Sequence, residues 1–141
     1  MNAFSIYPMP KPNAMSNRVE QLNKYLRNKF ELVEYAVNLR RPYKKSIIKK
    51  NKETVSEVNA LKFSISPKMI LNEVDMVFAH TAVGGLLSLL MSKKLTIHLD
   101  WHGVWEEEFR MQHPSSKHLP QLIRYIEKKI LSRANSISVV T

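Results

Sequence analysis

The feature that most constrains the fold is an alternation of short apolar runs with longer segments of helical period. In the second half, "DMVFAH" (75–80) is followed by "VGGLLSLLMSKK", then "LTIHLD" (95–100), then "LPQLIRYIEKKILSR" (119–133), then "SISVVT" (136–141). Short β-rich runs bounded by helical segments read as strand, helix, strand, because a side-chain period of two suits a pleated strand and a period near 3.6 suits a helix. Leu119, Leu122, Ile123, Ile126 and Ile130 are expected on one face of the last helix. The first half fits the same scheme. Ala3–Tyr7 reads as a strand, and the prolines at 8, 10 and 12 break structure. Asn17 with Glu20 three residues on forms a capping-box pattern that opens a helix carrying Val19, Leu22 and Leu26. "FELVEYAV" (30–37) and "ALKFSI" (60–65) read as further strands, and a short helix is expected from Ser66 with Pro67 at its first position. Strands alternating with helices imply an α/β domain: a Rossmann-like, doubly wound parallel sheet of about six strands with helices on both faces.

Length and composition fit one domain. The 141 residues are 44% apolar, enough for a core, and contain no cysteine, which excludes a disulfide framework and thiolate metal sites. The longest mainly apolar stretch, Met76–Met91, is short for a membrane span and contains His80 and two glycines. The net charge of +10 is local. Arg40–Lys52, "RRPYKKSIIKKNK", holds seven basic residues and no acid, and taking seven from +10 leaves +3 for the rest. This run reads as a loop or exposed helix. Its bland role is a solvated surface; next comes attraction to an anionic membrane through Arg40, Arg41, Lys44, Lys45, Lys49 and Lys50, with nucleic acid last.

Open α/β sheets bind ligands beyond the carboxyl ends of their strands. Three polar segments fall there: the "PMPKPNAMSNR" loop, "HTAVGG" after one strand and "DWHGVWEEE" after the next. His80 and His102 should therefore share an edge. Gly103 permits a sharp turn, and the Gly84–Gly85 pair serves either anion binding at a helix start or close helix–sheet packing. His98, Asp100 and His102 alternate and so face one way, a spacing that suits a metal, but no full zinc-site pattern accompanies them and the reading adopted is no metal. His98 is expected to be a packing residue, and Asp100 to orient its neighbours. Glu106–Glu108 either bind a hydroxylated ligand or form a solvated helix start.

In order and spacing, "DMVFAH", "VGGLL", "LTIHLDWHG", "IEKKILSRAN" and "SISVVT" resemble the N-terminal domain of a GT-B glycosyltransferase, most closely glycosyltransferase family 4. The resemblance covers residues 74–141, and "NAMSNRVEQLNKYLRNKFELVEY" resembles that family's first helix and second strand. It implies sugar transfer from a nucleotide-sugar donor to a glycan or lipid-linked acceptor, with no metal or other cofactor. Chain 1–141 would then be the acceptor-side Rossmann-like domain, read as incomplete, with a C-terminal donor-binding domain supplied in cis or in trans. By the same resemblance His102 is the catalytic residue, and His80, Gly103 and Glu106 line the substrate site. The family often has a Gly-Gly loop after its first strand; none is present here, so Lys11 or Arg18 takes the phosphate contact. Glu127 matches a recurring acid, expected to be structural. The anomeric outcome stays open, and a cytoplasmic protein, peripheral at the membrane face, is implied. The alternative is a non-catalytic α/β module docking on an anionic membrane through its basic segment.

Overall fold

The protein, seen in a computed structural model, is described over residues 1–9, 13–38, 45–50, 53–59, 74–90 and 95–139. The elements run β1 (Asn2–Met9), α1 (Asn13–Arg27), β2 (Glu31–Asn38), β3 (Lys45–Lys50), β4 (Glu53–Asn59), β5 (Met76–His80), α2 (Thr81–Leu89), β6 (Thr96–Trp101), α3 (Trp105–Gln112), α4 (Leu119–Arg133) and β7 (Ser136–Val139). All seven strands join one mixed sheet in the order β4-β3-β2-β1-β5-β6-β7. Five strands, β2-β1-β5-β6-β7, are mutually parallel. β3 and β4 are antiparallel additions on the β2 side.

The basic segment is the main correction. Lys45–Lys50 is a strand, not a loop or exposed helix, and it pairs with β2 through Tyr35↔Ile48 and Ala36↔Ile47. The alternation hides it because lysines flank only two apolar residues. The strand expected at 60–65 and the helix expected from Ser66 lie outside the described residues, as do Arg40, Arg41, Lys44 and Lys11.

Strand alternation sorts the core into two layers. On one face Phe4, Ile6, Tyr35, Val77, Ala79, Ile97 and Leu99 pack with Leu87 of α2 and Ile130 of α4. Each is nearly or wholly buried, which stabilises the fold by about 1.5–3 kcal/mol per large side chain. On the other face Ala3, Leu32 and Phe78 meet Leu22 and Leu26 of α1, and Tyr7 and Ala36 meet Val19. α2 lies close to the sheet because of Gly84: a Cβ there would fall 2.9 Å from the Ile6 carbonyl oxygen and 3.1 Å from the Ala79 carbonyl carbon. Gly85 faces the Ile130 side chain in the same way. The packing role of the glycine pair therefore has a direct structural basis. α4 keeps its expected bounds, but its buried face is Pro120, Ile123, Glu127 and Ile130, while Leu119 and Leu122 are exposed. Among the described residues no helix is long and apolar enough to cross a membrane.

Candidate functional site

The sheet reverses its direction of growth at β1. β2 lies on one side of it and β5 on the other, so the carboxyl ends of β1 and β5 border the crevice where open α/β sheets place ligands, with the end of β6 next to β5. Register brings polar residues into two rows across the α1 face. One row is Ser138, Asp100 and His80; the next is Ser136, His98, Ser5 and Glu34, with the apolar Phe78 between His98 and Ser5. Polar residues at alternate positions of otherwise apolar strands are thus gathered under one helix.

Asp100 is the hub. Its side chain is 1% exposed. Oδ1 accepts from Arg18 Nη2 at 2.7 Å and from the Ser138 hydroxyl at 2.9 Å. Oδ2 lies 2.8 Å from His102 Nε2 and 3.2 Å from His80 Nδ1, and Arg18 Nε sits 3.1 Å from Oδ1. Burial pushes the carboxyl up, but hydrogen bonds from His80, Arg18, His102 and Ser138 outweigh it and hold the group well below the usual carboxylate range. The same contact raises the Arg18 guanidinium.

A second acid anchors the other end. Glu34 accepts from Arg27 Nε at 3.0 Å, from Asn23 Nδ2 at 3.0 Å and from the Tyr7 hydroxyl at 3.1 Å. Burial, then Glu34, raises the Tyr7 phenol far above its ordinary value. Ser5 joins the two clusters: its hydroxyl donates to Asn23 Oδ1 at 2.8 Å and lies 3.2 Å from His80 Nε2. The outcome is one connected polar path from Arg27 to His102. Buried charges are tolerated when paired, and each acid here has a guanidinium.

The expected site residues divide as follows. His80 and His102 come together as anticipated, both on Asp100. His80 is fully buried at the end of β5, so it supports the site and does not meet a ligand; His102, with a side chain 16% exposed, is the ring at the edge. Gly103 has φ +78°, a turn that favours glycine. Thr81, directly after His80, has φ +66°, an outlier for a β-branched residue, and its Oγ1 accepts from the Val83 N–H at 3.3 Å. Glu106 is buried and turned to Arg110, with Oε1 2.6 Å from Nε, an i,i+4 pair on α3. The Arg18 guanidinium pairs with Asp100 and is 40% exposed on its side chain. Among the membrane-surface candidates, Lys50 pairs with Glu31 and Lys49 sits in register with Glu34.

His98 hydrogen-bonds through Nδ1 to the Ser136 hydroxyl at 2.8 Å and through Nε2 to Ser138 at 3.3 Å, and burial lowers its pKa. It is a packing residue tied into the hub. The three alternating residues do share a face, but the Asp100 oxygens are occupied by N–H and O–H donors. Among the described residues no group of three or more His, Cys, Asp or Glu is arranged to hold a metal. Glu127 Oε1 accepts from the Trp105 N–H at 2.5 Å and so holds the first turn of α3, a structural role. Beside the hub, Arg18, Gln21, Leu22, Tyr25, His98 and Ser138 line an open groove of about 430 Å³.

Sequence reasoning missed Ser5, Asn23, Glu34 and Ser138. Ser5 and Glu34 did carry a signal, each the lone strongly polar residue in the apolar runs "AFSIY" and "LVEYAV", whereas Asn23 in α1 and Ser138 in β7 stand in mixed surroundings that give none. No family model, curated protein or solved structure matches the chain.

Proposed function

We propose that this chain is the acceptor-side half of a GT-B-type glycosyltransferase, acting in sugar transfer from a nucleotide-sugar donor to a glycan or lipid acceptor. The observation that carries the reading is His102: an imidazole held by a buried carboxylate at the carboxyl end of β6, one strand beyond the β1–β5 boundary where sheet growth reverses. Counting parallel strands alone, the order is 2-1-3-4-5, one of the common doubly wound orders. That supports a Rossmann-like assignment, and the ordered motifs from residue 75 onward support the transferase class. In this reading His102 hydrogen-bonds a sugar or acceptor hydroxyl, and Gly103 lets the backbone turn away behind it. A donor-binding domain, in cis or in trans, completes the cleft and supplies the nucleotide contacts.

The membrane-module alternative rests on the basic segment, where Lys50 pairs with Glu31 at the surface. The test is metabolic labelling in the source cell. Deleting the gene should abolish incorporation of one labelled sugar into a lipid or polysaccharide fraction. Unchanged incorporation across a panel of sugars would sink the transferase reading.

A further inference from the structure

The polar path under α1 fixes its own hydrogen positions, because it is bounded by groups that can act only one way. Glu34, paired with Arg27, is an acceptor. Asn23 must therefore point its amide Nδ2 at Glu34, which leaves Oδ1 as the acceptor for the Ser5 hydroxyl. With its proton spent on Asn23, Ser5 offers only a lone pair to His80 Nε2, so that nitrogen donates. At the other side of the ring, Nδ1 faces Asp100 Oδ2, again an acceptor, so it donates too. A histidine that donates from both nitrogens is an imidazolium.

Hydrogen bonding constrains the other two rings as well. Ser138 donates to Asp100, so it accepts from His98 Nε2–H; burial lowers the His98 pKa and keeps the ring neutral, and Nδ1 then accepts from the Ser136 hydroxyl. His102 Nε2 faces Asp100 and donates. Asp100 already meets two cations, Arg18 and His80, so a third on His102 adds repulsion without a further anion to offset it. The groups facing His80 are Ser5 and Tyr7 of β1, Asp100 of β6 and, one bond further, Asn23 and Arg18 of α1.

We infer that Asp100 is a positioning residue that locks His102 as the neutral Nε2–H tautomer, presenting the Nδ1 lone pair at the sheet edge, with His80 held beside it as a buried imidazolium. The neutral ring at His102 is then an acceptor for a ligand hydroxyl, with Nδ1 as the contacting atom. This deepens the transferase reading and rests on it for the ligand, but the ring states stand on hydrogen bonding, on charge repulsion around Asp100 and on burial of His98.

The experiment is long-range ¹H–¹⁵N correlation of the histidine side chains in the purified chain near neutral pH. The expected result is two protonated ring nitrogens on His80 and a bare Nδ1 with protonated Nε2 on both His98 and His102. A bare nitrogen on His80, or a proton on His102 Nδ1, overturns the inference. In Asp100→Asn, His102 should populate both tautomers; an unchanged His102 spectrum in a folded variant also overturns it. Ser138→Ala, a milder change, should leave His102 in the same tautomer while altering His98; a shifted His102 tautomer there counts against Asp100 as the controlling group. If the spectra are as expected but His102→Ala leaves sugar incorporation intact, the transferase reading fails and the positioning assignment holds.

Discussion

Replacing Asp100 by asparagine keeps the shape of the hub and removes its charge. The loss has two parts of unequal weight. Arg18 is 40% exposed on its side chain, so its half of the pair is screened and is worth about 1 kcal/mol or less. His80 is fully buried, and breaking a buried pair by deleting one partner costs about 3–5 kcal/mol because the remaining charge has no counterion. The asparagine amide still offers an oxygen to the ring, so the lower end, about 3 kcal/mol, is expected. With a urea slope of about 1.5 kcal/mol per molar, the midpoint should fall by about 2 M. The acid limb gives a second readout. The folded-state pKa of Asp100 is depressed, so its contribution is present above the ordinary carboxylate pKa and is lost as pH falls from there toward the depressed value. Wild type should therefore lose stability steadily below about pH 4, and the variant should lose less over that window. Urea titrations at several pH values measure both. A cost below about 1 kcal/mol, or identical acid limbs, would refute the view of Asp100 as a charged hub.

Other substitutions test separate parts of the account. Gly84→Ala puts a methyl group against the backbone of Ile6 and Ala79, neither of which can rotate away, and should cost about 1–3 kcal/mol in a urea titration. Glu127→Gln weakens a charge-assisted bond to the Trp105 N–H and should cost about 1–2 kcal/mol, with faster amide exchange confined to the first turn of α3. His102→Ala should leave stability within about 1 kcal/mol, since the ring lies at the sheet edge with a single bond to Asp100, as checked by thermal unfolding.

How much was legible in the sequence depends on what signal each residue carries. β1, β2, β5 and β6 were visible because their apolar residues alternate or run continuously, and α4 because Ile123, Ile126 and Ile130 recur at helical spacing. The β3–β4 hairpin was not, since a strand beside the sheet edge needs few apolar residues and lysine masks the two it has. The meeting of His80 and His102 could be anticipated, as both end parallel strands and such ends share one edge. The partner of Arg18 could not: Asp100 lies 82 positions away, and only the packing of α1 over β6 joins them. Beside the first strand's loop a cation suggests a phosphate ligand; Arg18 lies within α1 and pairs with a buried acid. Glu106 has its partner closer at hand. It stands among three acids, yet its spacing to Arg110 makes an intrahelical pair the local solution.

His102 is the residue proposed to act in sugar transfer. Its direct test is complementation of the gene deletion with wild type and with His102→Ala, at matched protein levels, reading incorporation of the labelled sugar. Wild type is expected to restore it, and the variant to fall by about 100-fold or more, the scale of a lost proton-handling group. Full restoration by the variant would contradict the claim and leave Asp100 and its histidines as a structural core alone.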